Sequence, residues 1–309
     1  MAGIETILSL FILIGLGYLG KRTVLAEQSL APLNTFVYYF AVPALLFNSV
    51  YKLSLESLFQ PMYLLAFLIA VILTAITAVM GCKFFFKEES KEVLVIRGLN
   101  ATFSNYAYMG IPMVFGLLGE AAYGAMISII LLGNVFQIGG TQFLIESQRQ
   151  DGKGLKQFLT ILDKSLIRSP IFVATFFGVL ASAIELKLPV VLSSSLDLLA
   201  PATVPVALFC LGASLEFKTL KQSKSELVWL VVVKLLIHPL ITLGIFTAAG
   251  LDDQNWFLAA VLLAALPTGA LAHVMALRYD IKEKETSLTV VLSTLAALVS
   301  VSLWVSFIM

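Results

Sequence analysis

Two stretches of the chain place polar side chains, glycine and proline inside apolar segments of membrane length. The first is Asn100-Ala-Thr-Phe-Ser-Asn-Tyr-Ala-Tyr-Met-Gly-Ile-Pro112, the second Leu266-Pro-Thr-Gly-Ala-Leu-Ala-His-Val-Met-Ala276. In the first, Asn105 with its neighbours Asn100 and Ser104 supplies side-chain donors and acceptors, and Gly110 and Pro112 free backbone groups, since proline has no N–H to give. A half-helix starting near Gly110 would turn its positive end toward a cavity, where it favours an anion, commonly a carboxylate. In the second, Pro267, Thr268 and Gly269 form the matching break, and His273 could hydrogen-bond a carboxylate or take up a proton near neutral pH. Simpler accounts are a proline kink patched by Asn and Ser side chains, and a histidine satisfied by a neighbouring helix. In lipid every backbone N–H and C=O needs a partner, so unwound backbone survives only where it lines a cavity or is buried in protein. Matching breaks in the two halves of a chain point to the binding site of a secondary transporter.

Other polar residues stand in apolar surroundings. Asn134 and Gln137 are three apart, a spacing that puts both on one helix face, either to line a cavity or to glue helices together. Lys234 lies inside an apolar segment with His238 and Pro239 one turn on. An intramembrane cation could attract an anion or stand in a coupling-cation site; otherwise it snorkels or bonds carbonyls freed by Pro239. No Asp or Glu sits at mid-membrane, so a carboxylate proton relay has no member, while a sodium site built of carbonyls would leave no trace. The two cysteines, Cys82 and Cys210, have no metal-type spacing, and hydrolase triads, P-loops and dinucleotide fingerprints are missing, which argues against an enzyme or a bound cofactor.

The elements that position these residues follow from composition. The chain has 309 residues, of which 59% are hydrophobic and 13% charged, against about 25% charged in a soluble domain. Ten segments approach the roughly 20 apolar residues of a membrane helix: 4–20, 30–50, 61–82, 93–118, 121–147, 167–186, 190–215, 226–249, 255–277 and 284–308. With ten segments the loops alternate between two sides. Of the 20 Lys and Arg residues only Lys52 and Lys187 fall on one side, Lys234 stays inside, and the rest gather on the other. The positive-inside rule then puts both termini on the non-cytoplasmic side of the cell membrane. The basic residues form no nucleic-acid-binding face. The N-terminus lacks a basic region and a cleavage site, so the first segment is expected to be retained.

The halves repeat. Phe40-Ala-Val-Pro43 in the second segment matches Thr203-Val-Pro205 in the seventh, each proline followed four residues later by Phe, and Pro112 pairs with Pro267. The prolines at 43 and 205 are expected to break their helices. Five segments per half is odd, so the expectation is an all-α membrane protein with a 5+5 inverted repeat: residues 1–147, a short cytoplasmic linker 148–166, and residues 167–309.

These residues resemble the auxin efflux carrier family. Phe40-Ala-Val-Pro-Ala-Leu-Leu-Phe47 is similar to its second-helix signature, and Asn105-Tyr-Ala-Tyr-Met-Gly-Ile-Pro112 to its fourth. Pro205-Val-Ala-Leu-Phe-Cys-Leu-Gly-Ala-Ser-Leu215 is similar to its seventh, and Leu266 to Tyr279 to its ninth. The resemblance spans the chain. It implies a scaffold of segments 1, 2, 6 and 7, often dimeric, and a transport domain of segments 3–5 and 8–10 that moves like an elevator. It also implies that Asn105, and less directly Asn134, contact substrate. Plant members carry a second proline in the ninth helix, where this chain has Ala272, and a long central loop absent here; both differences favour a bacterial-type member. The expected function is transport of a small organic anion, a mono- or dicarboxylate of malonate or malate type or an auxin-like one. A channel or an anion-binding sensor is the alternative, and coupling to Na+ or H+ stays open.

Overall fold

The computed structural model describes residues 2–25, 30–52, 60–149, 170–213 and 225–309. Among them the chain is helical throughout, with no strand and one isolated β-bridge. The helices are α1 (Ala2–Thr23), α2 (Leu30–Tyr51), α3 (Pro61–Phe85), α4 (Lys91–Thr102), α5 (Tyr106–Leu118) and α6 (Glu120–Arg149). They continue as α7 (Pro170–Ala183), α8 (Val190–Ala213), α9 (Ser225–Ala248), α10 (Gln254–Ala265), α11 (Ala270–Tyr279) and α12 (Glu283–Ile308). Each of the ten apolar segments is largely helical where it is described, the fourth and ninth with an interruption at 103–105 and 266–269. Six helices (α2, α3, α6, α8, α9 and α12) are long and apolar enough to cross a membrane. The linker at 150–166, the start of the sixth segment and the last two residues of the seventh lie outside the described residues.

Prolines inside apolar helices bend the pattern without ending it. The helix widens to π geometry at Val37–Ala41, Tyr106–Gly110 and Val233–Ile237, and each widened stretch stops two residues before a proline: Pro43, Pro112 and Pro239. A proline ring clashes with the carbonyl four residues back and donates no hydrogen bond, and a π turn relieves both conflicts. The breaks expected at Pro43 and Pro205 are therefore absent. α2 runs through Pro43 behind its π stretch, and α8 runs through Pro205 behind a 3-10 turn at Ala200–Ala202.

Two compact units divide the chain. One comprises Met1–Gln60, Ala107–Ser128 and Ile167–Leu215; the other comprises Pro61–Tyr106, Ile129–Leu166 and Glu216–Met309. In the first unit α1 packs on α8 and α2 on α7. A Cβ added at Gly17 would run into the Phe209 carbonyl, and one at Gly212 into the Ile14 carbonyl, so glycine lets α1 and α8 meet backbone to backbone. Tyr51 donates to the Leu186 carbonyl at 2.6 Å, and Asn48 Nδ2 to Asp197 at 2.7 Å.

In the second unit α3 packs on α4 and α9, α9 on α10, and α12 on α10 and α11. Its largest fully buried side chains include Arg97 and Lys234. Arg97 meets Glu226 in a two-pronged ion pair, Nε to Oε1 at 2.9 Å and Nη2 to Oε2 at 3.0 Å, which joins the middle of α4 to the start of α9.

Candidate functional site

The second unit holds both helix interruptions. α4 ends at Thr102 and α5 begins at Tyr106, leaving Phe103-Ser104-Asn105 extended; α10 ends at Ala265 and α11 begins at Ala270, leaving Leu266-Pro267-Thr268-Gly269 extended. The two stretches pair as a one-residue antiparallel bridge centred on Ser104 and Thr268. Asn105 N donates to the Pro267 carbonyl at 2.8 Å, and Gly269 N to the Phe103 carbonyl at 2.9 Å. The hydroxyls then exchange: Thr268 donates to the Asn100 carbonyl in the last turn of α4 at 2.7 Å, and Ser104 to the Leu263 carbonyl in the last turn of α10 at 2.6 Å. Leu263 is four residues before Pro267, which has no N–H to give, so even a continuing helix would have left this carbonyl without a partner. α12 completes the set, with Ser293 accepting from Thr268 N at 3.1 Å and Thr286 accepting from Asn100 Nδ2 at 3.1 Å. Asn100, Ser104, Thr268, Thr286 and Ser293 are all fully buried. The bonds to main-chain atoms give partners to groups that the interruption or Pro267 leaves without one, as burial of unwound backbone requires, and the Asn100–Thr286 bond joins side chains beside them.

The position of the first break corrects the sequence expectation. It falls at Phe103–Asn105, and the second half-helix starts at Tyr106, ahead of Gly110. Gly110 has ordinary helical angles (φ −60°, ψ −54°) and Pro112 sits inside α5. Pro112 is thus no part of the crossing and does not mirror Pro267; the counterpart of Thr268 is Ser104. Pro267, Thr268 and Gly269 do lie in the second break. Gly269 is required by space, since an added Cβ would stand 2.6 Å from the Ser104 carbonyl oxygen and 2.8 Å from the Phe103 ring.

Around this bridge the candidate residues differ. Asn105 is buried in the break. Gln137 is buried in a π stretch of α6 at Gly133–Gly139, accepting from the Tyr106 hydroxyl at 3.1 Å while its Nε2 has no partner. That π stretch changes the spacing on which Asn134 and Gln137 would share a face, and Asn134 is only half-buried. A Cβ at Gly133 would stand 2.8 Å from both Gln137 Oε1 and the Tyr106 ring, so glycine admits their contact. His273 stands in the first turn of α11, where backbone N–H groups lack helical partners. Its Nδ1 is buried without a partner, against the expectation of a histidine satisfied by a neighbouring helix.

Lys234 is also not where snorkelling would carry it. Its side chain is fully buried, and Nζ donates to the Ala264 carbonyl at 2.6 Å and lies 3.2 Å from His238 Nδ1. The carbonyl four residues before Pro239, that of Leu235, is taken by Trp304 Nε1 at 2.9 Å instead.

Sequence reasoning passed over the hydroxyl exchange between Ser104 and Thr268, the role of Tyr106, and the partners on α12. The last had a signal: Thr286, Thr289, Ser293 and Ser300 recur at helical spacing in an apolar helix, and all are buried.

The arrangement defines a class. Multiple membrane-length helices, and two interrupted ones bridged inside one unit, are those of a membrane transporter. The whole chain, residues 2–305, matches the family described as membrane transport protein, to which the auxin efflux carriers belong, and it is a member of that family. It is 28% identical over 301 residues to a protein of Rhizobium meliloti (strain 1021) named "Putative malonate transporter", covering 96% of this chain and 92% of that one. It is 27% identical over 313 residues to an uncharacterized transporter of Methanothermobacter thermautotrophicus, covering 98% of both. Auxin efflux carrier component 2 of Arabidopsis thaliana is 29% identical over 146 residues, 45% of this chain and 22% of the plant protein. The chain is therefore a multi-pass membrane transporter and not an enzyme.

Proposed function

We propose that the protein is a secondary transporter of a small organic anion, a mono- or dicarboxylate of malonate or malate size, working by elevator-type alternating access. The observation that carries this is the start of α11. It is a helix start, whose first N–H groups have no intrahelical carbonyl to bond, although that of Ala272 is taken by the Gly269 carbonyl at 3.0 Å; it carries the partnerless Nδ1 of His273 and stands beside the Ser104–Thr268 bridge. A helix N-terminus favours negative charge, and desolvating a carboxylate costs several kcal/mol unless aligned donors replace its water. Asn105 and the unpartnered amide of Gln137 are further donors, with Asn134, Thr268 and Gly269 at the edge of the site. The name of the Rhizobium relative favours malonate among the candidates.

Ten membrane spans in an inverted repeat belong to the same proposal. Contacts of α1 with α8 and of α2 with α7 exchange under a repeat that maps each segment onto the one five later, as do contacts of α3 with α4 and of α9 with α10. Segments 3–5 and 8–10 would move against a scaffold of segments 1, 2, 6 and 7, in a homodimer joined through the scaffold. The protein would sit in the cell membrane with both termini on the non-cytoplasmic side.

The test is charge movement in proteoliposomes on a solid-supported membrane, with malonate, malate, other small carboxylates and indole-3-acetate, backed by labelled counterflow for electroneutral exchange. A saturable signal for some carboxylate, lost in Asn105→Ala and weakened about tenfold in His273→Ala, is expected. Silence in both assays sinks the carboxylate assignment, and an undiminished signal in both variants moves the site elsewhere.

A further inference from the structure

We infer that Lys234 is a resident cation: its ammonium occupies the position at the carbonyl end of α10 where a coupling metal cation would otherwise bind, so transport by this protein runs without sodium. α10 stops at Ala265 inside the second unit, and the last carbonyls of an interrupted helix carry the negative end of its dipole. Two of those carbonyls, and one just past the helix end, have identified partners. Leu263 takes the Ser104 hydroxyl, Pro267 takes Asn105 N, and Ala264 takes Lys234 Nζ at 2.6 Å. Hydroxyl and amide donors suffice for the first two; the third receives the Lys234 amine, the one donor of the three that can carry a charge. Among the described residues Lys234 forms no ion pair, and its partners are the Ala264 carbonyl and His238 Nδ1. A fully buried ammonium costs several kcal/mol when no counter-charge answers it, so what answers this one is the helix end.

The local backbone is shaped to deliver it. Pro239 forces the π stretch Val233–Ile237, Lys234 stands on that stretch, and Trp304 takes the Leu235 carbonyl that would otherwise compete for the ammonium. Among the described residues the other interrupted helix has no such charge at its carbonyl end. There the Asn100 carbonyl is satisfied by the Thr268 hydroxyl, and the Asn100 amide donates to Thr286. The cation thus belongs to one end only.

The experiment has an arm that needs no substrate and an arm that rests on the transporter assignment above. In detergent, thermal unfolding is followed in sodium chloride and in choline chloride at equal ionic strength. Wild type is expected to unfold at the same temperature in both. Lys234→Ala is expected to unfold lower and to be raised again by methylammonium or by sodium, but not by choline. Lys234→Gln, which keeps a donor without the charge, is expected to behave like the alanine variant and serves in its place if that variant does not fold. In proteoliposomes, wild-type flux is expected to be unchanged when choline replaces sodium, and Lys234→Gln flux to fall about tenfold or more. Sodium-specific stabilisation or sodium-dependent flux in wild type overturns the inference, and so does a Gln variant indistinguishable from wild type. A carboxylate panel that fails while the unfolding arm behaves as stated refutes the substrate and leaves the resident cation standing.

Discussion

The two helix interruptions are built alike in hydrogen bonding and unlike in everything else. Each breaks for three or four residues, each lends one residue to the Ser104–Thr268 bridge, and each sends a hydroxyl into the last turn of the other's half-helix. Yet the second has a proline and a glycine in the break and the first has neither. Nor, among the described residues, does the first have a basic side chain at its carbonyl end, whereas the second has Lys234. The bridge, and not the proline, is what the two have in common. An interruption needs a partner for each orphaned backbone group, and proline only makes the regular alternative less favourable.

The largest test of this comparison is Gly269→Val. The backbone at Gly269 (φ −75°, ψ 146°) suits any residue, so conformational freedom plays no part; the collision of a Cβ with the Ser104 carbonyl oxygen does. Overpacking of this kind costs about 1–3 kcal/mol, and because the obstacle is backbone, the upper part of that range is expected, with transport abolished. A thermal midpoint equal to wild type would show that the two stretches can separate without loss and that the bridge is not the common element.

A smaller effect sharpens the likeness. Thr268→Val and Ser104→Ala each remove a hydroxyl and strand a buried carbonyl, Asn100 in the first case and Leu263 in the second. Each is expected to cost about 1–3 kcal/mol. If the two breaks are one device, the losses match, and the double variant loses less than their sum because both act on the same bridge. Unequal losses would mean that one break is held mainly by something else, such as α12 through Ser293 and Thr286.

Much of the site was legible in the sequence, for a reason that also sets the limit. Pro267-Thr268-Gly269 announced its break because all three residues disfavour a buried helix interior. The first break was misplaced onto Gly110 and Pro112 because those residues carry the same local signal, but a π turn absorbs Pro112 and the helix continues. Phe103-Ser104-Asn105 contains nothing that forbids a helix; it is unwound because Pro267–Gly269 pairs with it, a contact between residues far apart in sequence. Lys234 was visible as an anomaly, while its partner, a backbone carbonyl, has no residue type to give it away. The helices themselves followed from apolar length alone. The widened stretches ahead of Pro43, Pro112 and Pro239 did not, since proline permits a kink, a bulge or a break, and packing chooses among them.

The weakest expected effect concerns the outer ends of α4 and α11, whose inner ends meet at the bridge. There Arg149 of α6 donates to Glu92 at 2.7 and 2.8 Å and to the Tyr279 carbonyl at 2.9 Å, and Tyr279 donates to Glu146 at 2.6 Å. Arg149 therefore ties the first turn of α4 to the last turn of α11 by charge, where the inner ends are tied by neutral bonds. Its hydrogen bonds hold the Glu92 carboxyl below the usual carboxylate range. A lowered carboxylate stabilises the fold above its unfolded pKa, and the contribution fades as pH falls through the folded value. The pair is partly exposed, 40% for Arg149 and 28% for Glu92, so its worth is about 0.5 kcal/mol. Arg149→Gln is expected to lower the unfolding temperature slightly at neutral pH, less in high salt, and by nothing once the carboxylate is protonated at acid pH. The bridge variants, whose lost bonds are neutral and buried, are expected to keep their full deficit under all three conditions. A loss from Arg149→Gln that ignores both salt and pH would show that its bond to the Tyr279 carbonyl, and not the ion pair, holds the outer ends, making them the same kind of joint as the inner ones.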